Sequence, residues 1–137
     1  MYQFVIPIHH VNWSTRSVLE GISQKYKPKQ IYVVTSDHEI KIFKDKSNSW
    51  DIENLTLLDE DNFFLNKYGL TKKDIVSQIT QNKPNYSPGW LYQQIIKLGA
   101  SDVIDELEDV FLIWDADLLP VKSWPILDEK KEKFALL

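Results

Sequence analysis

The 137-residue chain contains no cysteine. That excludes disulfides, thiolate metal sites and thiol nucleophiles, and it fits a reducing, cytoplasmic compartment. Glycine is scarce and occurs only at positions 21, 69, 89 and 99. Neither common glycine-rich phosphate loop can be written with those four positions, so a phosphate would have to be held another way. Basic residues are not in excess: 16 Lys and Arg stand against 20 Asp and Glu, for a net charge of −4. With no basic run either, a nucleic-acid surface is disfavoured. No apolar run approaches the ~20 residues of a membrane span. The start, Met1-Tyr2-Gln3-Phe4-Val5-Ile6-Pro7-Ile8, lacks the basic region of a signal peptide and reads as a first strand.

What is present is ordinary for a soluble globular protein: 43% hydrophobic and 26% charged residues, in a length suited to one domain over 1–137. Buried strands are expected over 4–8, 30–35, 55–58 and 110–114, where short runs rich in β-branched and aromatic residues occur. Residues 39–43 alternate and suggest a short edge extension, with a polar loop over 44–50. Ser14 or Thr15 can cap a helix carrying Val18, Leu19 and Ile22. A short helix should end near Gly69. Thr71, with Asp74 at the third helical position, opens another. The clearest helix begins at Ser87-Pro88 and is expected to close at Gly99. Leu91, Ile95 and Leu98 should form its apolar face, with Gln93 and Lys97 on a more polar one. A separate acidic helix capped by Ser101 would come next, and residues 134–137 look like a last strand. Strand, helix and strand in these lengths form a βαβ unit, so the fold class is α/β with a mostly parallel, Rossmann-like sheet and helices on both faces.

The stretch around which the chain is organised is Val110-Phe111-Leu112-Ile113-Trp114-Asp115-Ala116-Asp117-Leu118-Leu119-Pro120. A run read as a strand buried on both faces ends in two carboxylates. In open α/β sheets ligands sit beyond the carboxyl ends of the strands. Extended alternation would put Asp115 and Asp117 on one side and Ala116 on the other. Two such charges repel unless a cation or proton lies between them, and a hard ion such as Mn²⁺ or Mg²⁺ answers that need while also holding phosphates. An ordinary strand-to-loop turn with solvated acids is the plainer alternative.

Other strand ends are polar too. His9 or His10 could touch a pyrophosphate or metal, although neighbours on an extended chain cannot both point one way. Asp37 could accept hydrogen bonds from a ribose or base; a simple Asp-His turn explains it as well. Gln93 and Gln94 could bind sugar hydroxyls or merely face solvent. Trp90 and Tyr92 read as core rather than a sugar platform. No Ser occupies a nucleophile elbow. The acidic pair comes too late in the chain, and lacks the following Thr or Val, for a haloacid-dehalogenase-type phosphatase. The further oxygen ligands and glycine of a calcium-binding EF-hand loop are also missing.

Taken together, Gly89-Trp90-Leu91-Tyr92-Gln93-Gln94-Ile95-Ile96-Lys97-Leu98 and Phe111-Leu112-Ile113-Trp114-Asp115-Ala116-Asp117 resemble a nucleotide-sugar glycosyltransferase of the GT-A type. More narrowly, the chain resembles a little-characterised family of bacterial and viral glycosyltransferases that combines Gly-Trp-X-X-Gln-Gln-X-X-Lys-Leu with a following Asp-X-Asp strand. The opening Val5-Ile6-Pro7 and the 31–37 stretch match the order of elements in such enzymes. The resemblance implies a nucleotide-sugar site at Pro7, His9, Asp37, Gln93 and Asp115, and a Mn²⁺ or Mg²⁺ site at Asp115 and Asp117. It covers only the front of such an enzyme. The expectation is a donor-binding half, incomplete at its C-terminal end, with an acceptor that could be glycan, lipid or protein. An apolar last strand would leave an edge open to homo-oligomer formation. A non-catalytic binding or assembly module, and a metal-dependent phosphohydrolase or nucleotidyltransferase, are the alternative readings.

Overall fold

Two adjacent parallel strands form the buried centre, β1 (Gln3–Pro7) and β2 (Gln30–Thr35), in register from Gln3 opposite Gln30 to Pro7 opposite Val34. Each is a nearly continuous apolar run because each is covered on both faces. β3 (Leu55–Asp59) pairs outside β2 and β4 (Leu112–Ile113) outside β1, all parallel, giving the order β3-β2-β1-β4. The computed structural model describes residues 1–122 and the strand residues 127–128 and 133–134. The latter form a separate antiparallel pair, β5 (Leu127–Asp128) with β6 (Lys133–Phe134). Of the last strand expected at 134–137, only Phe134 is described, within β6, and the rest lies outside the described residues, as does Trp124-Pro125, where the sequence suggests an interruption.

Helices cover both faces, as expected of an α/β sheet. On one face α1 (Thr15–Tyr26) contributes Val18, Leu19 and Ile22, and α2 (Asp37–Ser47) contributes Phe43, against Phe4, Ile6, Ile31 and Val33. On the other, α5 (Pro88–Val103) contributes Tyr92, Ile96 and Ala100 against Val5, Tyr32 and Val34. Beside it lie α3 (Leu65–Tyr68), which ends at left-handed Gly69 (φ 68°), and α4 (Lys72–Asn82). α4 begins with the expected reciprocal cap between Thr71 and Asp74.

Four expectations fail for identifiable reasons. Residues 39–43 are not an edge strand, nor 44–47 a loop; they belong to α2. Ser36 caps it, its Oγ accepting the Glu39 N–H at 3.3 Å, and Glu39 and Phe43 then fall one turn apart on the buried side. Gly99 does not end its helix. α5 runs on through Ser101 to Val103, and Gly99 is small because Phe64 crosses there: a Cβ would lie 2.7 Å from the ring. The apolar face of that helix is not Leu91-Ile95-Leu98 either, since Leu98 is 84% exposed while Tyr92, Ile96 and Ala100 are buried. Lastly, the strand before the acidic pair is only two residues long and forms the sheet edge, with Ile113 41% exposed. An edge strand lacks the second neighbour that would have buried it.

Candidate functional site

Chain order makes β1 the turning point of the sheet. The chain steps outward from β1 to β2 to β3, then returns to lay β4 on the opposite side of β1. The loops leaving β1 and β4 lie side by side at the carboxyl end of the sheet, the place where α/β sheets bind ligands. A cleft of about 380 Å³ lies there, lined by Pro7 at the end of β1 and His9 just after it, by Trp90, Gln93, Gln94 and Lys97 of α5, and by Asp115, Ala116 and Asp117 after β4. Of the six residues singled out from the sequence, five meet in it: Pro7, His9, Gln93, Asp115 and Asp117.

The sixth, Asp37, does not. It occupies the first turn of α2, where a carboxylate suits the helix dipole, and pairs with Lys41 at 3.2 Å on the open surface.

The β1 side of the cleft is stitched in place. Pro7 closes the strand, and the Ile8 N–H reaches the Val34 carbonyl at 2.9 Å. Beyond it the two histidines are not extended, as alternation had assumed; the loop bends and their ring centroids lie 4.0 Å apart. They still divide their tasks. His9 faces the cleft, while His10 Nδ1 lies 3.0 Å from the Glu39 carboxylate. The other Glu39 oxygen accepts the Val11 N–H at 2.9 Å. Glu39 is buried, and this backbone donor, helped by His10, holds its carboxyl below the ordinary range. The Asn12 side chain then accepts the Ser14 N–H at 3.0 Å, and Thr15 Oγ1 accepts the Asn12 N–H at 2.9 Å. Glu39 escaped notice in the sequence; Ser36-X-X-Glu39 was the signal that could have found its helix.

The acidic side is held at both ends of its loop. The Trp114 N–H reaches the Val5 carbonyl at 3.0 Å, and its ring packs on Phe4 and Tyr26. Its indole Nε1 donates to the Leu118 carbonyl at 2.6 Å. The Leu118 N–H closes a turn onto the Asp115 carbonyl at 3.1 Å. Pro120 is buried against Gly21 of α1, where an added Cβ would sit 3.0 Å from its ring. Asp115 and Asp117 thus share the cleft through a turn, and Ala116 between them, which also lines the cleft, packs against the core beneath α1.

α5 supplies the third wall. Trp90, Gln93, Gln94 and Lys97 follow an i, i+3, i+4, i+7 stripe beside the buried Tyr92-Ile96-Ala100 face. Trp90 is 56% exposed and is a cleft wall, not core; Tyr92 is core, its hydroxyl donating to the Glu60 carbonyl. Lys97 Nζ donates to Asp115 Oδ1 at 2.8 Å. The repulsion expected between the two acids is thus already relieved at Asp115 by an ammonium group. Among the described residues no three His, Cys, Asp or Glu side chains converge as a metal cluster.

A larger hollow, about 540 Å³, lies over β2 and β3 and includes Tyr32, Leu58, Phe63, Asn62, Asn66 and Glu106. No Lys, Arg or His lines it, so it offers no positive charge to a phosphate, whereas the smaller cleft has both cationic and anionic groups. No helix among the described residues is long and apolar enough to cross a membrane. Comparisons with curated proteins and with solved structures returned no match. A sequence-family comparison did: residues 16–130 match a family of unknown function, DUF6492, and the chain belongs to that family.

Proposed function

We propose that this chain binds the donor of a metal-dependent glycosyltransferase, transferring a sugar from a nucleoside-diphosphate sugar to a glycan, lipid or protein acceptor. The observation that carries the reading is the cleft at the turning point of the sheet, where an acidic pair, a lysine, a histidine, two glutamines and an exposed tryptophan line one volume. The motif resemblance to GT-A glycosyltransferases supports it as well.

Asp115 and Asp117 fit a Mn²⁺ or Mg²⁺ ion, because such ions take one or two protein carboxylates and leave the remaining positions to water and substrate phosphate. When bound, the ion supplies charge neutralisation on the departing nucleoside diphosphate. The chain's own groups have complementary tasks. Lys97 and His9 are the basic side chains beside the diphosphate. Gln93 and Gln94 offer both donors and acceptors to sugar hydroxyls. The exposed Trp90 ring offers an apolar face to a sugar ring. Glu39 acts indirectly, by holding the loop that carries His9. A nucleic-acid partner finds no support in a chain of net charge −4. Work in the cytoplasm is supported by the absence of cysteine, and homo-oligomer formation by the exposed edge at β4.

Calorimetry with UDP and GDP, with and without Mn²⁺, tests this. Metal-dependent binding that disappears in Asp117→Ala supports the reading; no nucleotide binding overturns it. The contact between Lys97 and Asp115 favours one second reading, a non-catalytic module, because the ion pair satisfies one acid without any metal. That module would bind neither nucleotide.

A further inference from the structure

We propose that Lys97 is a resident counter-ion that is handed from Asp115 to the donor's phosphates when the metal arrives, making metal and nucleotide bind cooperatively. The proposal rests on the donor-binding reading above and assigns a switching role within that site. Its basis is the 2.8 Å contact between Lys97 Nζ and Asp115 Oδ1, on a carboxylate that the metal would also need. Asp115, Asp117 and Lys97 together place two carboxylates against one ammonium in the cleft. A divalent ion entering alone must compete with the ammonium for Asp115, and the displaced ammonium would remain beside it as a like charge. A diphosphate removes that conflict. It offers Lys97 a second set of anionic acceptors in the same cleft, so the ammonium leaves the carboxylate without losing a charged partner.

The helix permits this exchange without refolding. Ile96 next to Lys97, and Ala100 one turn on, are fully buried, so the Lys97 backbone is fixed. Its side chain remains 22% exposed, and its flexible four-carbon stem can redirect the ammonium. Arg16 and the other charged residues of α1 do not line the cleft. His9 and Asp117 are the remaining titratable groups there. Because linkage is reciprocal, the metal must tighten nucleotide binding by the same factor as the nucleotide tightens metal binding.

The test titrates Mn²⁺ alone and Mn²⁺ at saturating UDP or GDP, following free Mn²⁺ by its electron paramagnetic resonance signal against the same nucleotide without protein, and follows nucleotide alone by calorimetry. In the wild-type chain the nucleotide should raise Mn²⁺ affinity by roughly tenfold or more, within the usual range of coupling between two sites. In Lys97→Met, Mn²⁺ alone should bind several-fold tighter than in the wild type, and the coupling should fall several-fold below the wild-type value, the remainder coming from phosphate held directly on the ion. Lys97→Arg, which keeps the charge, should restore most of the coupling. Matching circular dichroism spectra will show that the variants fold. Wild-type cooperativity that persists unchanged in Lys97→Met overturns the hand-over and leaves the donor-binding reading standing. Wild-type protein that binds neither nucleotide with Mn²⁺ overturns both.

Discussion

Two strands of this sheet, β2 and β4, are each followed two residues on by an aspartate, yet the two ends serve different purposes. After β2, Ser36 caps a helix and Asp37 sits in its first turn, paired outward with Lys41. After β4, a turn closed by the Leu118 N–H and anchored by Pro120 on Gly21 sets Asp115 and Asp117 into a cleft with Lys97. The difference lies in the local structure that each aspartate enters. A capped helix takes up its acid locally, as dipole and i,i+4 partner. A turn leaves its acids facing whatever the neighbouring elements bring. Position in the sheet amplifies the contrast, because only β4 lies beside β1 across the turning point of the chain.

The sharpest way to break this comparison is by nucleotide binding. Asp117→Ala should weaken Mn²⁺-dependent binding of UDP or GDP at least about a hundredfold, roughly 3 kcal/mol, while Asp37→Ala should change it by less than about twofold. Equal losses measured by calorimetry would erase the distinction. Next comes the clamp between the start of α2 and the β1 loop. Glu39→Ala leaves the Val11 N–H without its acceptor and should cost about 1–3 kcal/mol in urea unfolding. The same group has a pH signature. Its carboxyl is held below the ordinary range, so the stabilisation is complete above that range and is lost as pH falls below it, through the depressed folded-state value. The stability advantage over Glu39→Gln should therefore shrink on acidification; an advantage that grows in acid would contradict the assigned sign.

A smaller effect is expected where α5 is seated. Gly99→Ala improves helix propensity by about 1 kcal/mol, yet its Cβ meets the buried Phe64 ring, so a net loss of roughly 1–2 kcal/mol is expected. A gain in melting temperature would show that α5 is not fixed by that crossing. Smallest of all is Thr35→Val, at the end of β2. Thr35 Oγ1 is buried without a hydrogen-bond partner among the described residues, so the variant should be neutral or up to about 1 kcal/mol more stable. Loss of nucleotide binding in Thr35→Val would mean that the β2 end contributes to the site after all.

The α/β class, the three strands β1 to β3 and the Thr71 cap were legible from residue order alone, because apolar runs and capping pairs are local signals, and of the six site residues that the motif resemblance implied, five line one cleft. What misled was also local. Alternation over residues 39–43 mimicked a strand where a cap and a crossover demanded a helix, and Gly99 looked like a terminator when its role was to admit Phe64. Only the tertiary structure decided that Asp37 belongs to a helix surface, that Lys97 reaches Asp115, and that Trp90 faces the cleft while Tyr92 faces the core. Residue order specifies which groups are polar and which local turns they favour. Which polar groups meet depends on strand order and helix rotation, which are settled by packing across both faces of the sheet at once.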